Sequence, residues 1–205
     1  MTYTPAHYHQ FGHDMLNIIA RIQSVTELSN IQDKTLKQML EQDLQTLTRT
    51  VELFTKLGGC APQDSAPEHK TPLDASALVF EVVAANRPEK ALLAIDENIR
   101  IETDQALFRD IVAELVRNMA AHAAPEAPAK IKLYKSFKGH VLELTNQSQH
   151  PLPEQPHGLF TRGPESKGLG LGLAFVTHAA AHLKMPFNIE AEGQNIKASL
   201  LIKAA

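Results

Sequence analysis

Apolar residues recur every three or four positions through the first 57 residues, which is the spacing of one face of an α-helix. The first stripe consists of Phe11, Met15, Ile18, Ile22 and Val25. The second consists of Leu36, Leu40, Leu47, Val51 and Phe54. A break at residues 29–33, where Asp33 can cap the second helix, separates them. The pattern predicts an antiparallel helical hairpin. Because two helices bury little surface, we expect it to pair with a second copy as a four-helix bundle.

Composition changes after the hairpin. Gly58 and Gly59 are typical of a helix end, and residues 61–72 are rich in proline and polar side chains, as linkers are. We therefore predict three parts: a dimerisation hairpin over 1–60, a linker over 61–72 and a second domain over 73–205.

The second domain mixes both periodicities. Helices are predicted near 74–87, 104–123 and 169–183, and strands near 99–102, 131–137, 140–146, 187–191 and 196–202. Mixed helices and mostly adjacent strands predict an α+β fold, with helices layered on a sheet. The whole chain is thus expected to be a helical hairpin followed by a two-layer α/β sandwich.

Composition excludes several classes of function. The chain has 205 residues, 43% of them hydrophobic, and a formal net charge of −3, so it offers no broad basic surface for nucleic acid. A single cysteine, Cys60, excludes an internal disulfide. No apolar run approaches the length of a membrane span, and no signal peptide opens the chain. We expect a soluble cytoplasmic protein without nucleic-acid or membrane partners.

His13 lies off the hydrophobic stripe of the first helix. At about 100° per residue it points roughly 160–200° away from the stripe, so it should face outward. Asp14 can accept a proton from one imidazole nitrogen, and Asn17 lies one turn further along. This arrangement predicts a histidine that accepts a phosphoryl group. The alternative is an ordinary solvated polar face.

A glycine-rich run lies near the C-terminus. Gly168, Gly170 and Gly172 alternate with leucines before an apolar helix. Glycines and a helix N-terminus together can hold phosphate groups. The run matches neither a Rossmann fingerprint, which follows an early strand, nor a P-loop, which ends in Gly-Lys-Ser/Thr. The alternative is a glycine-rich turn that closes an αβ unit.

These features together resemble the catalytic core of bacterial two-component histidine kinases, in the GHKL ATPase superfamily. His13 with Asp14 and Asn17 looks like the phosphoacceptor box. Residues 114–122 resemble the N box, whose asparagine, here Asn118, holds a magnesium ion under the nucleotide phosphates. Residues 159–163 resemble the F box of the ATP lid, and residues 168–176 the second glycine box.

The resemblance implies autophosphorylation of His13 from ATP with Mg²⁺, with Asp14 as base. Transfer to the aspartate of a response regulator receiver domain follows, and Asn17 could orient water for dephosphorylation of that regulator. It also implies a homodimer and a separate sensor protein. The catalytic residues implied are His13, Asp14 and Asn17. The nucleotide-binding residues implied are Glu114, Asn118 (also the Mg²⁺ ligand), His122, Asn146, Arg162, Lys167, Gly168, Gly170, Leu171 and Gly172.

The sequence departs from the family pattern at several places, including Ile18 where a proline is usual and Glu114 where an asparagine is more usual. Asn146 stands where the family has an aspartate that accepts a hydrogen bond from the adenine amino group, and the glycines of that first glycine box are missing. Ala121 replaces the usual basic residue of the N box, leaving phosphate neutralisation to Arg162, Lys167 or Arg117. Two alternatives follow: a histidine phosphotransferase with a degenerate ATP-binding domain, or a non-catalytic pseudokinase scaffold.

Overall fold

The fold is that of a computed structural model of the chain. It describes residues 5–29, 31, 33–59, 70–86, 90–124, 126–148 and 171–203. The chain divides into two compact units, Met1–Ala61 and Pro62–Ala205. Residues 61–69 of the predicted linker lie outside the described ranges, and its last two residues belong to the first strand.

The first unit is a hairpin of two long helices, α1 (Pro5–Leu28) and α2 (Lys34–Gly59). Asp33 caps α2 as predicted, because its Oδ1 accepts the backbone N–H groups of Thr35 at 2.9 Å and Leu36 at 3.2 Å. Helix α2 ends at the predicted glycine pair.

The seam between the two helices differs from the predicted stripe. Ile19, Leu44 and Val51 form its buried centre, and Met15, Leu16 and Leu47 pack against them. Ile18 and Ile22, which were expected in the seam, are exposed. The heptad-like spacing does not determine whether Ile18 or Ile19 faces the other helix, because the two residues lie only about 100° apart on α1.

In its described residues, the second unit contains three helices and seven strands. The helices are α3 (Ala75–Asn86), α4 (Gln105–His122) and α5 (Gly172–His182). The strands are β1 (Thr71–Asp74), β2 (Leu92–Ile95), β3 (Arg100–Thr103), β4 (Lys130–Ser136), β5 (Gly139–Gln147), β6 (Phe187–Glu192) and β7 (Asn195–Ile202).

Five strands form one sheet in the order β2-β4-β5-β7-β6, and β1 pairs with β3 in a separate two-stranded sheet. All neighbours in the larger sheet are antiparallel except β2 and β4. Alternate residues of β5 and β7 are buried, whereas their neighbours are more exposed. This period of two shows that one face of the sheet is covered by helices. The predicted two-layer α+β architecture is confirmed.

An ion pair fixes α3 against α4. Arg109 donates to both carboxylate oxygens of Glu81, at 2.8 and 3.0 Å. These hydrogen bonds and the guanidinium charge lower the pKa of Glu81. The pair links α3 to the helix that carries Glu114 and Asn118, two of the predicted nucleotide-binding residues, and being exposed it adds little to stability.

Strands β1 and β2 were not predicted. Pro72 lies in β1 and argues against a strand, but β1 pairs only with β3, so the missing N–H breaks no central ladder. Strand β2 is a run of four apolar residues without alternation, at the edge of the larger sheet. In the described part of the chain, none of the helices combines the length and apolar character needed to cross a membrane.

Candidate functional site

The imidazole of His13 stands on the surface of the hairpin. Its side chain is 73% exposed and that of Asp14 is 60% exposed, as predicted from helical spacing. The Nδ1 atom of His13 lies 3.2 Å from Nδ2 of Asn17 and 3.7 Å from Oδ1 of Asp14. Both neighbours therefore meet the same ring nitrogen.

This arrangement assigns different roles to the two imidazole nitrogens. The Asp14 carboxylate favours the tautomer that carries its proton on Nδ1, which leaves the lone pair on Nε2. In that tautomer a half-turn of the Asn17 amide presents its oxygen to Nδ1–H instead of its nitrogen. In that tautomer Nε2 carries the free lone pair of the ring.

Gln10 is a member of this cluster that the sequence did not indicate. Its Nε2 donates to Oδ1 of Asp14 at 3.0 Å, one helical turn before it. The hydrogen bond orients the carboxylate beside the imidazole. The i, i+4 spacing of glutamine and aspartate on a helix is a signal that could have identified it.

An open groove lies beside His13 between the two helices. Its lining residues are Gln10, Gly12, His13, Leu16, Glu52, Thr55 and Lys56. Gly12 permits the close approach of the helices here, because a Cβ at this position would overlap Oγ1 of Thr55. Lys56 and Glu52 of α2 thus place one positive and one negative side chain in the same groove as His13, the candidate phosphoacceptor.

The second unit brings together three of the predicted nucleotide-binding residues. Glu114 is fully buried on α4 and accepts a hydrogen bond from Arg117 at 2.9 Å. Gly172, the first residue of α5, packs so closely on α4 that a Cβ would overlap Oε1 of Glu114 and lie 3.0 Å from Nδ2 of Asn118. Gly172 is more than 50 positions from Glu114 and from Asn118, so its contact with them depends on the tertiary fold.

The N-terminus of α5 therefore meets Asn118. Leu171 precedes the helix, is buried, and makes no side-chain cap hydrogen bond. The first N–H groups of a helix have no intrahelical partners and favour anions. Nδ2 of Asn118 is also buried and has no hydrogen-bond partner within the described ranges. This junction offers donors to a phosphate group.

Asn146 and His122 lie where α4 and β5 end side by side. Helix α4 ends at His122, and just beyond it the N–H of Ala124 donates to the carbonyl of Gln147 at 2.7 Å. Asn146 directly precedes Gln147 and continues the buried row of β5, with only 7% of the residue exposed. Its Nδ2 has no partner in the part of the chain that the structure describes.

The remaining predicted site residues lie outside the described ranges: Arg162, Lys167, Gly168 and Gly170, together with residues 159–163 of the F-box resemblance. Within those ranges no cluster of three histidine, cysteine or acidic side chains could hold a metal ion.

Solved structures similar to this chain include histidine kinases. Full-length ShkA in complex with AMPPNP matches with a TM-score of 0.75 and 16% identity, over 99% of this chain and 47% of that one. Acinetobacter baumannii histidine kinase AdeS matches with a TM-score of 0.69 and 17% identity, over 95% of this chain and 97% of that one. The mycobacterial sensor histidine kinase MprB matches with a TM-score of 0.58 and 17% identity, over 66% and 99%.

No family model matches the sequence, and no curated protein matches it either. The similarity to known proteins is therefore structural. At these identities it is the architecture that is shared, over almost the whole of this chain and of AdeS. The chain shares the fold of these sensor histidine kinase structures, a helical hairpin followed by a two-layer α/β unit.

Proposed function

We propose that this chain is a protein histidine kinase, which transfers the γ-phosphoryl group of ATP to His13 and then to an aspartate of a response regulator receiver domain. The observation that carries this proposal is the exposed His13 imidazole, whose Nδ1 side is held by Asp14 and Asn17. Only Nε2 is left facing an incoming phosphoryl group.

His13 would act as the nucleophile. Its Nε2 lone pair attacks the γ-phosphorus in line, and the bond from that phosphorus to the β,γ-bridging oxygen breaks to release ADP. The imidazole gains positive charge in this step, and Asp14 stabilises it and can take the Nδ1 proton. Gln10 keeps the carboxylate in place for this role. The phosphoryl group then passes from Nε2 to a carboxylate oxygen of the receiver domain.

The second unit fits a nucleotide. Two buried amide nitrogens, on Asn118 and Asn146, have no partners among the residues described, and buried donors are rarely left without acceptors. The start of α5 adds backbone donors next to Asn118. Magnesium held by the Asn118 amide oxygen would neutralise phosphate charge. The residues of this chain would position the phosphates. Glycine at position 172 keeps a bulky side chain out of the space beside Asn118.

We also propose that the hairpin forms a homodimer. Apolar side chains are exposed around the loop end of the hairpin: Ile18 (49%), Ile22 (44%), Val25 (63%), Leu36 (49%) and Met39 (56%). Ile18, Ile22 and Val25 share one face of α1, at i, i+4 and i+7. A second hairpin packed on this face would bury it and complete a four-helix bundle.

Replacing Ile22 with glutamate should convert the dimer to a monomer. A carboxylate in the middle of the apolar face of α1 would have to be buried without a partner, which costs several kcal/mol. Light scattering after gel filtration measures the mass directly. Ser24→Glu places the same charge on an exposed position of the same helix and should leave the dimer intact. A wild-type chain that is monomeric at tens of micromolar would contradict the dimer.

The second candidate function is a histidine phosphotransferase, which would relay phosphoryl groups between two regulators without using ATP. Asn146 favours it, because an amide replaces the acid expected at the adenine subsite. The residues proposed to bind the phosphates favour the kinase, because Gly172 is in close contact with both Glu114 and Asn118.

Replacing Asn118 with alanine distinguishes the two functions. In a kinase it should weaken nucleotide binding by at least about tenfold, because a ligand to the phosphates and Mg²⁺ is lost. Labelling of His13 from γ-labelled ATP should fall with it. In a phosphotransferase the same variant should accept phosphoryl groups from a phosphorylated receiver domain as well as wild type does. Asn188→Ala, which removes an exposed amide of β6, is the matched control.

A further inference from the structure

Asn146 is a polar residue at the end of an apolar row. Leu142, Leu144 and Asn146 alternate along the face of β5 that meets the helices, and all three are buried. Ile196 of β7 lies directly opposite Asn146 in the sheet. An amide in this position gains nothing from hydrophobic burial, and its Nδ2 has no partner within the described part of the chain. A buried donor without a partner points to an acceptor that a ligand supplies.

The position of Asn146 indicates which part of a nucleotide it would meet. Phosphate donors are concentrated at the junction of α5 with Asn118. Helix α4 continues for one turn from Asn118 to His122, and Asn146 lies beyond its end, where the N–H of Ala124 joins the carbonyl of Gln147. If the phosphates bind at α5, the base is the part of the nucleotide left to reach Asn146.

An amide reads a purine differently from a carboxylate. A carboxylate only accepts hydrogen bonds, so it favours the 6-amino group of adenine and repels the 6-oxo group of guanine in the same pose. An amide carries an acceptor and a donor side by side. By turning over, it can pair with the 6-amino group and N1 of adenine or with the 6-oxo group and N1–H of guanine.

We infer that Asn146 makes the base subsite of this chain permissive at the purine 6-position, so that it binds guanine nucleotides about as well as adenine nucleotides. The inference rests on the proposal that the second unit binds a nucleotide. It goes beyond that proposal by naming a substrate class, the 6-oxopurine nucleotides, and a single residue that admits them. Discrimination by one such residue is about fivefold to about a hundredfold between the right and the wrong base.

The test is a competition experiment with the full chain, Mg²⁺ and a ribose-labelled fluorescent ADP that is displaced by unlabelled ADP or GDP. In wild type we expect the two dissociation constants to agree within about threefold. In Asn146→Asp we expect GDP to weaken at least about tenfold relative to ADP, because two acceptors then face each other. Asn146→Leu, which removes both donor and acceptor, should weaken both nucleotides without restoring a preference.

The possible failures are distinguishable. A wild-type preference for ADP of more than about tenfold would overturn the permissive subsite and leave the nucleotide site intact. The permissive subsite would also be overturned if Asn146→Asp had the same ratio of GDP to ADP dissociation constants as wild type while its thermal unfolding matched that of wild type. If wild type bound neither nucleotide nor the fluorescent probe, both this inference and the kinase proposal would fail. If Asn146→Asp does not fold, the ratio of the GDP and ADP dissociation constants of wild type alone decides whether the subsite is permissive.

Discussion

Substituting His13 with glutamine should abolish the acid-labile, base-stable label that the purified chain acquires from γ-labelled ATP and Mg²⁺. A phosphoramidate on imidazole has this stability profile, and glutamine offers no nucleophilic nitrogen in its place. Because the His13 side chain is 73% exposed, the substitution should change the free energy of unfolding by less than about 0.5 kcal/mol. Loss of label would therefore reflect lost chemistry and not lost folding.

The matched control for this experiment is His178→Gln. His178 is exposed on α5, and its Nδ1 contacts the backbone carbonyl of Ala174 at 2.8 Å. Its replacement should leave the label unchanged. If the His13 variant still became labelled, the phosphoacceptor would be another residue. If wild type remained unlabelled yet accepted phosphoryl groups from a receiver domain on His13, the phosphotransferase would replace the kinase. If the His13 variant kept full signalling output, the protein would act as a non-catalytic scaffold instead.

Replacing Asp14 should slow phosphoryl transfer to His13 without abolishing it. Asp14→Asn keeps the size of the side chain but removes the charge that stabilises the imidazolium, so phosphoryl transfer should slow by about a hundredfold, the lower end of general-base effects. The initial rate of labelling under saturating ATP measures this, with nucleotide affinity unchanged. An equal loss of affinity would place Asp14 in nucleotide binding instead.

Local features of the site could be predicted from the sequence. The outward direction of His13 follows from helical periodicity alone, because its angle to the apolar stripe depends only on residues within a few turns. The cap at Asp33 is equally local. Most helices and strands of the second unit were placed within a few residues for the same reason.

Features that depend on tertiary packing could not be predicted. The spacing of apolar residues cannot decide whether Ile18 or Ile19 faces α2, since a bundle helix has two contact sides. The burial of Asn146 depends on which face of β5 the helices cover, and a shift of one residue would reverse it. The contact of Gly172 with Glu114 joins residues far apart in the chain, and it was not predicted; the family resemblance only assigned both residues to the nucleotide site.

Replacing Gly172 with alanine should reduce both the stability of the chain and the proposed nucleotide binding. The added Cβ would overlap Oε1 of Glu114 and press on Nδ2 of Asn118. Glu114 cannot move away easily, because it is fully buried and hydrogen-bonded to Arg117. Forcing a methyl group into such a contact costs about 1–3 kcal/mol. Urea unfolding should show this loss in the free energy of unfolding.

The same substitution should weaken ADP binding by at least about tenfold, because Asn118 and the first N–H groups of α5 are displaced together. Ala181→Ser adds one atom to an exposed position of the same helix and should change neither quantity. The double variant Gly172→Ala, Glu114→Ala separates the two effects. Removing the carboxylate makes room for the methyl group, so stability should partly recover. If stability recovered without ADP binding, either the methyl group would still displace Asn118 or Glu114 itself would be needed, and the single variant Glu114→Ala distinguishes the two. If Gly172→Ala alone left the unfolding curve unchanged, the close packing of α5 on α4 would be wrong.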